Sequence, residues 1–582
     1  MLGSIVPCRH TTHKVTSASE GQTTDHTLVH TSSIASNQST SELLQTRRAH
    51  ESKREAWSAR DGAQGHSCLL CDCGSLLQKF TQAGLSTAYK KQGLNRSSPA
   101  GTARQRAITA AFQHAWQGYS DHCFGHDTLH PVTNTCEDDF GGWGATAIDS
   151  LPTAIMFGNE NVTVQILKFI AALDFKAVKG GTRIQVFEVT IRHLAAMVSA
   201  WDLLMDPFSY MANDTELRHA LYTQMTRLGD VLSCAFDSSS GIPREWIDPT
   251  ACQSDQGAQN TVAGAGTMIL EFARLSDITG NQTYASLAQR AEKYLLEPQP
   301  ASGEPFPGLL GSFISVETGE ILDSQGSWGA LADSFYEYLL KAYMYNSDLY
   351  GSYLDRWLIA ADSTIRWIGS HPYGHPEWTL LPSWDGASLQ NSMESLAWFA
   401  GGNFILGGMI TGNQTLVDYG LSIADAAGAM YNSTKTGLGG EFVIWSTTCD
   451  AGGENACESD ETFRISDGKF RLRPEVLETW YYAYRATKDS KYRDWSWAAF
   501  ESINRYCRTE TGFSLINDVN DPDGGGKSDS QESFVFAEVM KYVYLSHLED
   551  AWYHVQDSRT GLKNAWVFNT EAHPLRIAGP SR

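Results

Sequence analysis

The chain is expected to be all-α, a closed ring of helix pairs whose central hole is filled by a C-terminal β-hairpin. Three observations predict this. From Arg104 onward, apolar residues recur at helical spacing in fourteen segments separated by connections rich in Gly, Asn, Asp and Pro. The connection Ile278-Thr-Gly-Asn-Gln-Thr283 returns as Ile410-Thr-Gly-Asn-Gln-Thr415, with a degenerate third copy at Ala486-Thr-Lys-Asp-Ser-Lys491. These offsets suit a helix-pair unit of about 65 to 75 residues, and stacked units without a polar capping repeat close on themselves. Finally, Trp566-Val-Phe-Asn-Thr-Glu-Ala-His-Pro574 crowds aromatic and β-branched residues into one short strand, then offers a hydroxyl, a carboxylate and an imidazole. That is the pattern of a buried hairpin tip, and a lone hairpin needs something to be buried in.

In chain order, residues 1–103 read as an atypical segment and 104–582 as the folded domain. The first stretch is rich in Ser, Thr, His and Gln without sustained periodicity, so it is expected to be disordered and to add nothing to the ring. Its Cys68-Leu-Leu-Cys71-Asp-Cys73 lacks a second ligand pair at zinc spacing, so no zinc site is expected. Met1-Leu-Gly-Ser-Ile-Val-Pro-Cys8 is too short and interrupted for the apolar core of a signal peptide. No run of about 18 apolar residues occurs, so no membrane span is expected. Charge is unevenly spread: residues 1–110 carry a net +6 and the remainder −28, which makes the domain a poor partner for nucleic acid.

Seven Asn-x-Ser/Thr acceptors, at Asn37, Asn95, Asn161, Asn213, Asn281, Asn413 and Asn432, suit a secretory protein. The close pairs Cys123/Cys136, Cys234/Cys252 and Cys449/Cys457 lie in loop-like sequence and leave Cys507 over, although spacing alone does not settle connectivity.

The helical segments begin near residues 104, 143, 162, 186, 215, 261, 283, 327, 351, 393, 415, 472, 491 and 531. Acids sort by helix number. Even-numbered segments carry Glu188, Glu271, Asp333 with Glu337, Glu394, Glu475 with Glu478, and Glu532 with Glu538, each inside apolar sequence such as Ile269-Leu-Glu271. Odd-numbered segments carry ordinary surface charge, as in Leu287-Ala-Gln-Arg-Ala-Glu-Lys293. A single buried carboxylate is usually a cap or ion-pair residue. A set on alternate helices implies an inner wall converging on one acidic cavity.

Two of these acids differ in surroundings. Arg471-Leu-Arg-Pro-Glu475 puts Pro474 in a first helical turn and Glu475 at the positive end of the helix dipole, with Arg473 beside it. Glu475 is therefore expected to be ionised and to suit a general base. Glu188, flanked by Val186, Phe187 and Val189, is expected to have a raised pKa that Arg192 limits, and so to suit a general acid. Paired carboxylates of this kind are what glycoside hydrolysis requires. Phe534 and Trp566 are candidate sugar platforms, and Thr570 offers a hydroxyl and a carbonyl oxygen to a hard cation such as Ca²⁺.

Phe187-Glu-Val-Thr-Ile-Arg192, Asp333-Ser-Phe-Tyr-Glu-Tyr-Leu-Leu-Lys341, Leu472-Arg-Pro-Glu475, Glu532-Ser-Phe534 and Val567-Phe-Asn-Thr-Glu-Ala-His-Pro574 resemble, in order, the signature blocks of class I α-1,2-mannosidases, glycoside hydrolase family 47. The likeness covers about residues 104–576, and Ala400-Gly-Gly-Asn-Phe-Ile-Leu-Gly-Gly408 resembles the secreted fungal branch. The resemblance implies an (α/α)7 barrel plugged by a C-terminal β-hairpin, Ca²⁺ in the barrel, and inverting removal of α-1,2-linked mannose from high-mannose N-glycans. It implies residence in the secretory pathway or outside the cell, and a monomer is expected. By position it implies Glu188 as acid, Glu475 as base, Asp333 as a third essential carboxylate and Thr570 as the direct Ca²⁺ ligand. Arg192, Glu271, Glu337, Arg473, Glu478, Glu532, Phe534, Glu538 and Glu571 match residues lining the sugar and metal site.

The chain also departs from the family. The disulfide cysteines expected near Trp398 and Ala426 are absent, and a common histidine is Ser395. Family members restricted to one glycan branch carry an arginine where this chain has Leu331, so broad trimming of a nine-mannose glycan towards five is expected. The alternative is a glycan-binding quality-control factor of the same fold with little hydrolysis; the presence of Glu188, Asp333, Glu475 and Thr570 favours the enzyme.

Overall fold

A computed structural model describes residues 99–578, apart from 207, 213, 450–462, 550, 558–559 and 562. Of the N-terminal segment expected to be disordered, residues 1–98 with the cysteine cluster, like the acceptors Asn37, Asn95 and Asn213, lie outside the described residues, whereas 99–103 are helical, contrary to that expectation. Among the described residues fourteen helices build the ring, beside the one-turn helix Val262–Gly266 and short 3-10 and π turns. The first four are α1 (Pro99–His122), α2 (Ala145–Met156), α3 (Glu160–Ala171) and α4, which runs through Val186–Val189, a π turn at Thr190–Leu194 and Ala195–Met205. Next come α5 (Thr215–Ser233), α6 (Ile269–Thr279), α7 (Thr283–Leu296), α8 (Asp333–Tyr345) and α9 (Gly351–Ser363). The last five are α10 (Phe399–Thr411), α11 (Gln414–Ser433), α12 (Glu475–Thr487), α13 (Ser490–Ser502) and α14, a π turn at Val535–Val539 continued by Met540–Ser546. The expected boundary at 104 falls inside α1.

Even-numbered helices form the inner wall. Every residue of α2 is buried, as is Phe399–Met409 of α10, because these helices have protein on all sides. Outer helix α7 buries one stripe, Tyr284, Ala285, Ala288, Ala291, Glu292 and Leu295. Inner helices touch in the order α2, α4, α6, α8, α10, α12, α14, and α14 returns to α2, which closes the (α/α)7 barrel. Since each outer helix carries the chain back, the inner helices run in parallel and their N-termini share one end. Short strands lead into several of these N-termini. Ile184–Gln185, Gln259–Thr261, Gln325–Gly326 and Ser392–Glu394 each pair antiparallel with a neighbouring strand; α4 starts at Val186 as expected, whereas α6, α8 and α10 start several residues later than periodicity suggests.

The repeated connection is a stop and restart signal. Gly280 and Gly412 end α6 and α10 at φ +75° and +71°, and Asn413 then caps α11 by accepting from Thr415 N. In the third copy Lys488 takes the left-handed position at φ +60° and Asp489 supplies the cap for α13. Cys123–Cys136 and Cys234–Cys252 are disulfides, Cys507 is free and buried, and Cys449 is bonded to a partner outside the described residues. Asn161, Asn281, Asn413 and Asn432 are exposed. Among the described residues no helix is long and apolar enough to cross a membrane.

The hairpin pairs Trp566–Phe568 with Pro574–Arg576 and touches α4, α6 and α8. Val567, Phe568, Asn569, Ala572, His573 and Leu575 are buried. Trp566 lies at the base of the hairpin, buried against Trp552 with ring centroids 4.8 Å apart, so it is not the sugar platform expected from sequence. The glycines of α10 let the wall pack closely. A Cβ on Gly407 would lie 2.1 Å from the fully buried ring of Trp357 on α9. Gly407→Val is therefore expected to destabilise the barrel by about 1–3 kcal/mol or more, read as a lower denaturant midpoint at unchanged slope.

Candidate active site

Because the inner helices share an N-terminal end, their first turns meet there. Glu188, Glu271, Asp333 and Glu475 each stand in the first turn of α4, α6, α8 and α12. Glu337 and Glu478 sit one turn deeper, and the π turns of α4 and α14 carry Arg192 and Glu538. Such turns widen the helix locally and recur at functional sites. The hairpin brings Thr570 and Glu571 to the same place from the opposite end of the ring.

Arg192 is the hub of one side. Its Nε donates to Glu188 Oε2 at 2.8 Å, its Nη1 meets Glu571 Oε1 at 3.0 Å and donates to Ser533 Oγ at 3.1 Å. The guanidinium lies between the rings of Phe140 and Phe534, at 5.3 and 5.8 Å. Burial works against its charge, but Glu571, Glu188, Asp149 and Glu532 together hold its pKa well above the ordinary value. Across the cavity Arg473 Nε donates to Glu441 Oε1 at 2.9 Å and also feels Glu475 and Glu532. Glu394 accepts from Ala330 N at 2.6 Å, and Asp333 from Ser334 N at 2.8 Å. Buried Lys341 pairs with Glu337 and lies 3.7 Å from Glu478.

The hairpin tip is tied into this set. Asn569 Nδ2 donates to Glu271 Oε1 and to Ile191 O, each at 3.0 Å, while its Oδ1 accepts from Glu571 N at 3.0 Å and His573 N at 2.8 Å. Tyr338 Oη donates to Glu271 Oε1 at 2.6 Å and accepts from Thr570 N at 3.3 Å. His573 Nε2 donates to Asp149 Oδ1 at 2.8 Å, and Lys541 Nζ to Ala572 O at 2.6 Å. Three non-glycine residues beside site groups hold positive φ: Leu331 at +77°, Leu472 at +60° and Ala572 at +56°. That conformation is costly and persists where surrounding contacts impose it, as around functional groups.

Residues 111–577 match the family model described as Glycosyl hydrolase family 47. The chain belongs to this family. It is 45% identical over 498 residues to a probable mannosyl-oligosaccharide alpha-1,2-mannosidase 1B of Aspergillus niger, covering 85% of this chain and 96% of that one. To the mannosyl-oligosaccharide alpha-1,2-mannosidase of Penicillium citrinum it is 46% identical over 484 residues, covering 83% and 94%. The solved structure of an alpha-1,2-mannosidase from Trichoderma reesei superposes with a TM-score of 0.78 at 41% identity, covering 82% of this chain and 99% of that one.

For this family 47 hydrolase the electrostatics differ from the sequence expectation. Glu475 was expected to be held ionised; instead burial pushes its carboxyl well up, Arg473 pulls it down, and Glu441 and Glu478 push it up again. The dipole and one arginine do not outweigh lost hydration plus like charge. Glu188 was expected against apolar surface, but Val186 and Val189 point into the barrel wall, while the Glu188 carboxylate meets Arg192. Asp333 is raised to about 7 by burial, opposed by Ser334 N–H and reinforced by Glu394 and Glu337. Burial likewise lifts Glu271 and Glu478 to about 7.

Apart from Trp566, the expected acids, arginines, Phe534 and Thr570 are linked by the contacts above, and Leu331, two residues before Asp333, is 40% exposed. Asp149, Glu441, Tyr338, Asn569, Phe140 and Lys341 were not singled out. Asp149 had a signal, an acid in the apolar run Ala147-Ile-Asp-Ser-Leu151 of an even-numbered helix. Glu441 had none, since it comes from a loop.

The family implies Ca²⁺, and the donor chemistry fits one. Thr570 offers two oxygens, and the buried Glu271 Oε2 and Glu571 Oε2 have no protein partner. Thr570 would hold the ion, with the carboxylates of Glu271 and Glu571 as acceptors near it. Without a cation the raised carboxylates oppose folding as they ionise. Glu271 is the cleanest case, since a Gln at this position keeps an Oε1 acceptor for Tyr338 and Asn569. Its folded pKa of about 7 exceeds the ordinary 4.5, so its penalty is absent below about 4.5 and complete above about 7. In chelator, Glu271→Gln is expected to gain about 3 kcal/mol relative to wild type between pH 4.5 and pH 8, read from paired melting curves.

Proposed function

We propose that this chain is an inverting, Ca²⁺-dependent glycosidase that removes terminal α-1,2-linked mannose from high-mannose N-glycans, taking nine mannoses towards five. The observation that supports this best is the placement of Glu188 and Glu475 on separate arginine-bearing sides of one acidic cavity. The relatives named above point to the substrate. In this reading Glu188 protonates the leaving oxygen, directly or through a water, and Arg192 sets its orientation. Glu475 accepts a proton from the attacking water on the opposite ring face, and Arg473 favours its ionised form. Asp333, raised to about 7, shares the proton work near neutral pH. Phe534 gives the sugar an apolar face, while Glu271, Glu337, Glu478, Glu532, Glu538 and Glu571 supply acceptors for hydroxyls and ordered water. A Ca²⁺ on Thr570 would offset the charge these carboxylates share and orient oxygen ligands around it.

Inversion needs room for a water between the two working carboxyl groups, about 6.5–9.5 Å. The protein is proposed to act as a monomer in the secretory pathway or outside the cell, which the two disulfides and the exposed acceptor asparagines support. Residues 1–98 are proposed to take no part in the barrel, since 99–103 already belong to α1.

Incubation with a nine-mannose glycan should release mannose as the β anomer by NMR, and chelation should stop the release and lower the melting temperature. Initial α-mannose would refute inversion, and binding without release would indicate a glycan-recognition factor. Leu331 has no donor with which to grip one glycan arm, so several branches should be trimmed in turn. Leu331→Arg is expected to narrow the order of trimming; identical time-resolved glycan profiles for variant and wild type would remove Leu331 as a determinant.

A further inference from the structure

Asp149 lies in α2 and is fully buried, yet both of its carboxylate oxygens are bonded to segments far away in the chain. Oδ1 accepts from His573 Nε2 of the hairpin at 2.8 Å, and Oδ2 accepts from Ser533 Oγ, just before α14. The same Ser533 hydroxyl accepts from Arg192 Nη1 at 3.1 Å, and Arg192 Nε donates to Glu188 Oε2 at 2.8 Å. A chain of hydrogen bonds thus runs from the hairpin through α2, the approach to α14 and the π turn of α4 to the carboxylate proposed as the acid. His573 and Ser533 both donate to Asp149, and Ser533 accepts what Arg192 gives, so each bond polarises the next. Burial works against the charge of Asp149, but His573, Arg192 and Ser533 together outweigh it and hold its pKa below the ordinary value. Asp149 is therefore an anion held in place from two sides.

Arg192 needs such an anchor. Its Nη1 lies 3.0 Å from Glu571 Oε1 and 3.8 Å from Asp149 Oδ2, besides its bond to Ser533, so three acceptors compete for one nitrogen while Glu188 holds another. Bonds from two nitrogens fix the rotation of the guanidinium plane, which one bond would leave free. Because the Ser533 hydroxyl occupies Asp149 Oδ2, that carboxylate stays one bond removed from Arg192 and does not draw it off Glu188. We propose that Asp149 and Ser533 are positioning residues that together set the rotation of Arg192 and, through it, the direction in which Glu188 presents its carboxyl. This rests on the proposed function and adds to it the pair that supports the acid through Arg192. Asp149 has no exposed surface, so it does not touch the substrate itself.

The test measures kcat and KM for the initial release of mannose from a nine-mannose glycan, with Ca²⁺ present, by wild type, Ser533→Ala, Asp149→Asn and the double variant, alongside melting curves. Ser533→Ala leaves Asp149 Oδ2 free to take Arg192 directly. Asp149→Asn keeps the shape but offers one acceptor oxygen in place of two, so it cannot accept from both His573 and Ser533. Each single variant is expected to lower kcat about ten-fold with KM within about two-fold of wild type, and the double variant to lose no more than the weaker single, because the two residues act as one unit. A fall in melting temperature at unchanged kcat would mean that the pair only packs the wall. Losses that multiply in the double variant would mean two separate roles, and a raised KM at unchanged kcat would mean contact with the glycan. Each of these overturns the inference and leaves the hydrolase reading intact. Should Asp149→Asn fail to fold, kcat against KM for Ser533→Ala decides alone. A wild type that releases no mannose overturns the hydrolase reading itself, and the positioning role with it.

Discussion

Asn569 ties the tip of the hairpin to the inner wall, and most of the site depends on that attachment. One side-chain amide bonds α6 through Glu271 and α4 through Ile191 O, and its oxygen turns the chain back by accepting from Glu571 and His573. Fully buried, it leaves no donor or acceptor for water to compete for, so the geometry is set by protein alone. Thr570 and Glu571 then have no freedom to choose another position. A hole at the centre of seven parallel helices would otherwise fill with water or collapse, and the hairpin replaces it with apolar strands below and a polar tip above.

The cost of this design is electrostatic. Parallel inner helices bring the first-turn acids of α4, α6, α8 and α12 to one end, where the helix dipoles favour negative charge but are too weak to offset burial. Arg192, Arg473 and Lys341 each neutralise a local cluster and still leave Asp333, Glu271 and Glu478 with pKa values raised to about 7. An excess of carboxylates that the protein does not neutralise itself is an arrangement suited to a cation and to proton transfer near neutral pH.

The fold was legible in the sequence to an unusual degree because its determinants are local and repeated. Helical periodicity, the Thr-Gly-Asn-Gln connection and acids confined to alternate helices are all short-range patterns. A ring of helix pairs converts them into an inner and an outer wall with few alternatives. Signature blocks carried the site residues for the same reason: each block is one inner helix start or the hairpin tip.

What the sequence by itself determined was therefore the ring, its plug and the identity of the acids that face the centre. Only the tertiary structure decided their chemical state. Glu475 is pushed up although its own helix and Arg473 argue for ionisation, because Glu441 from a loop and Glu478 from the next turn crowd it. Glu188 meets Arg192 although its neighbours in sequence are apolar, because those neighbours face the wall and it faces the cavity. Trp566 packs at the hairpin base although it looked like a sugar platform. A residue type follows from the chain, whereas a pKa or a platform depends on which groups from distant segments arrive within a few ångströms, and that sum is fixed only when the ring closes.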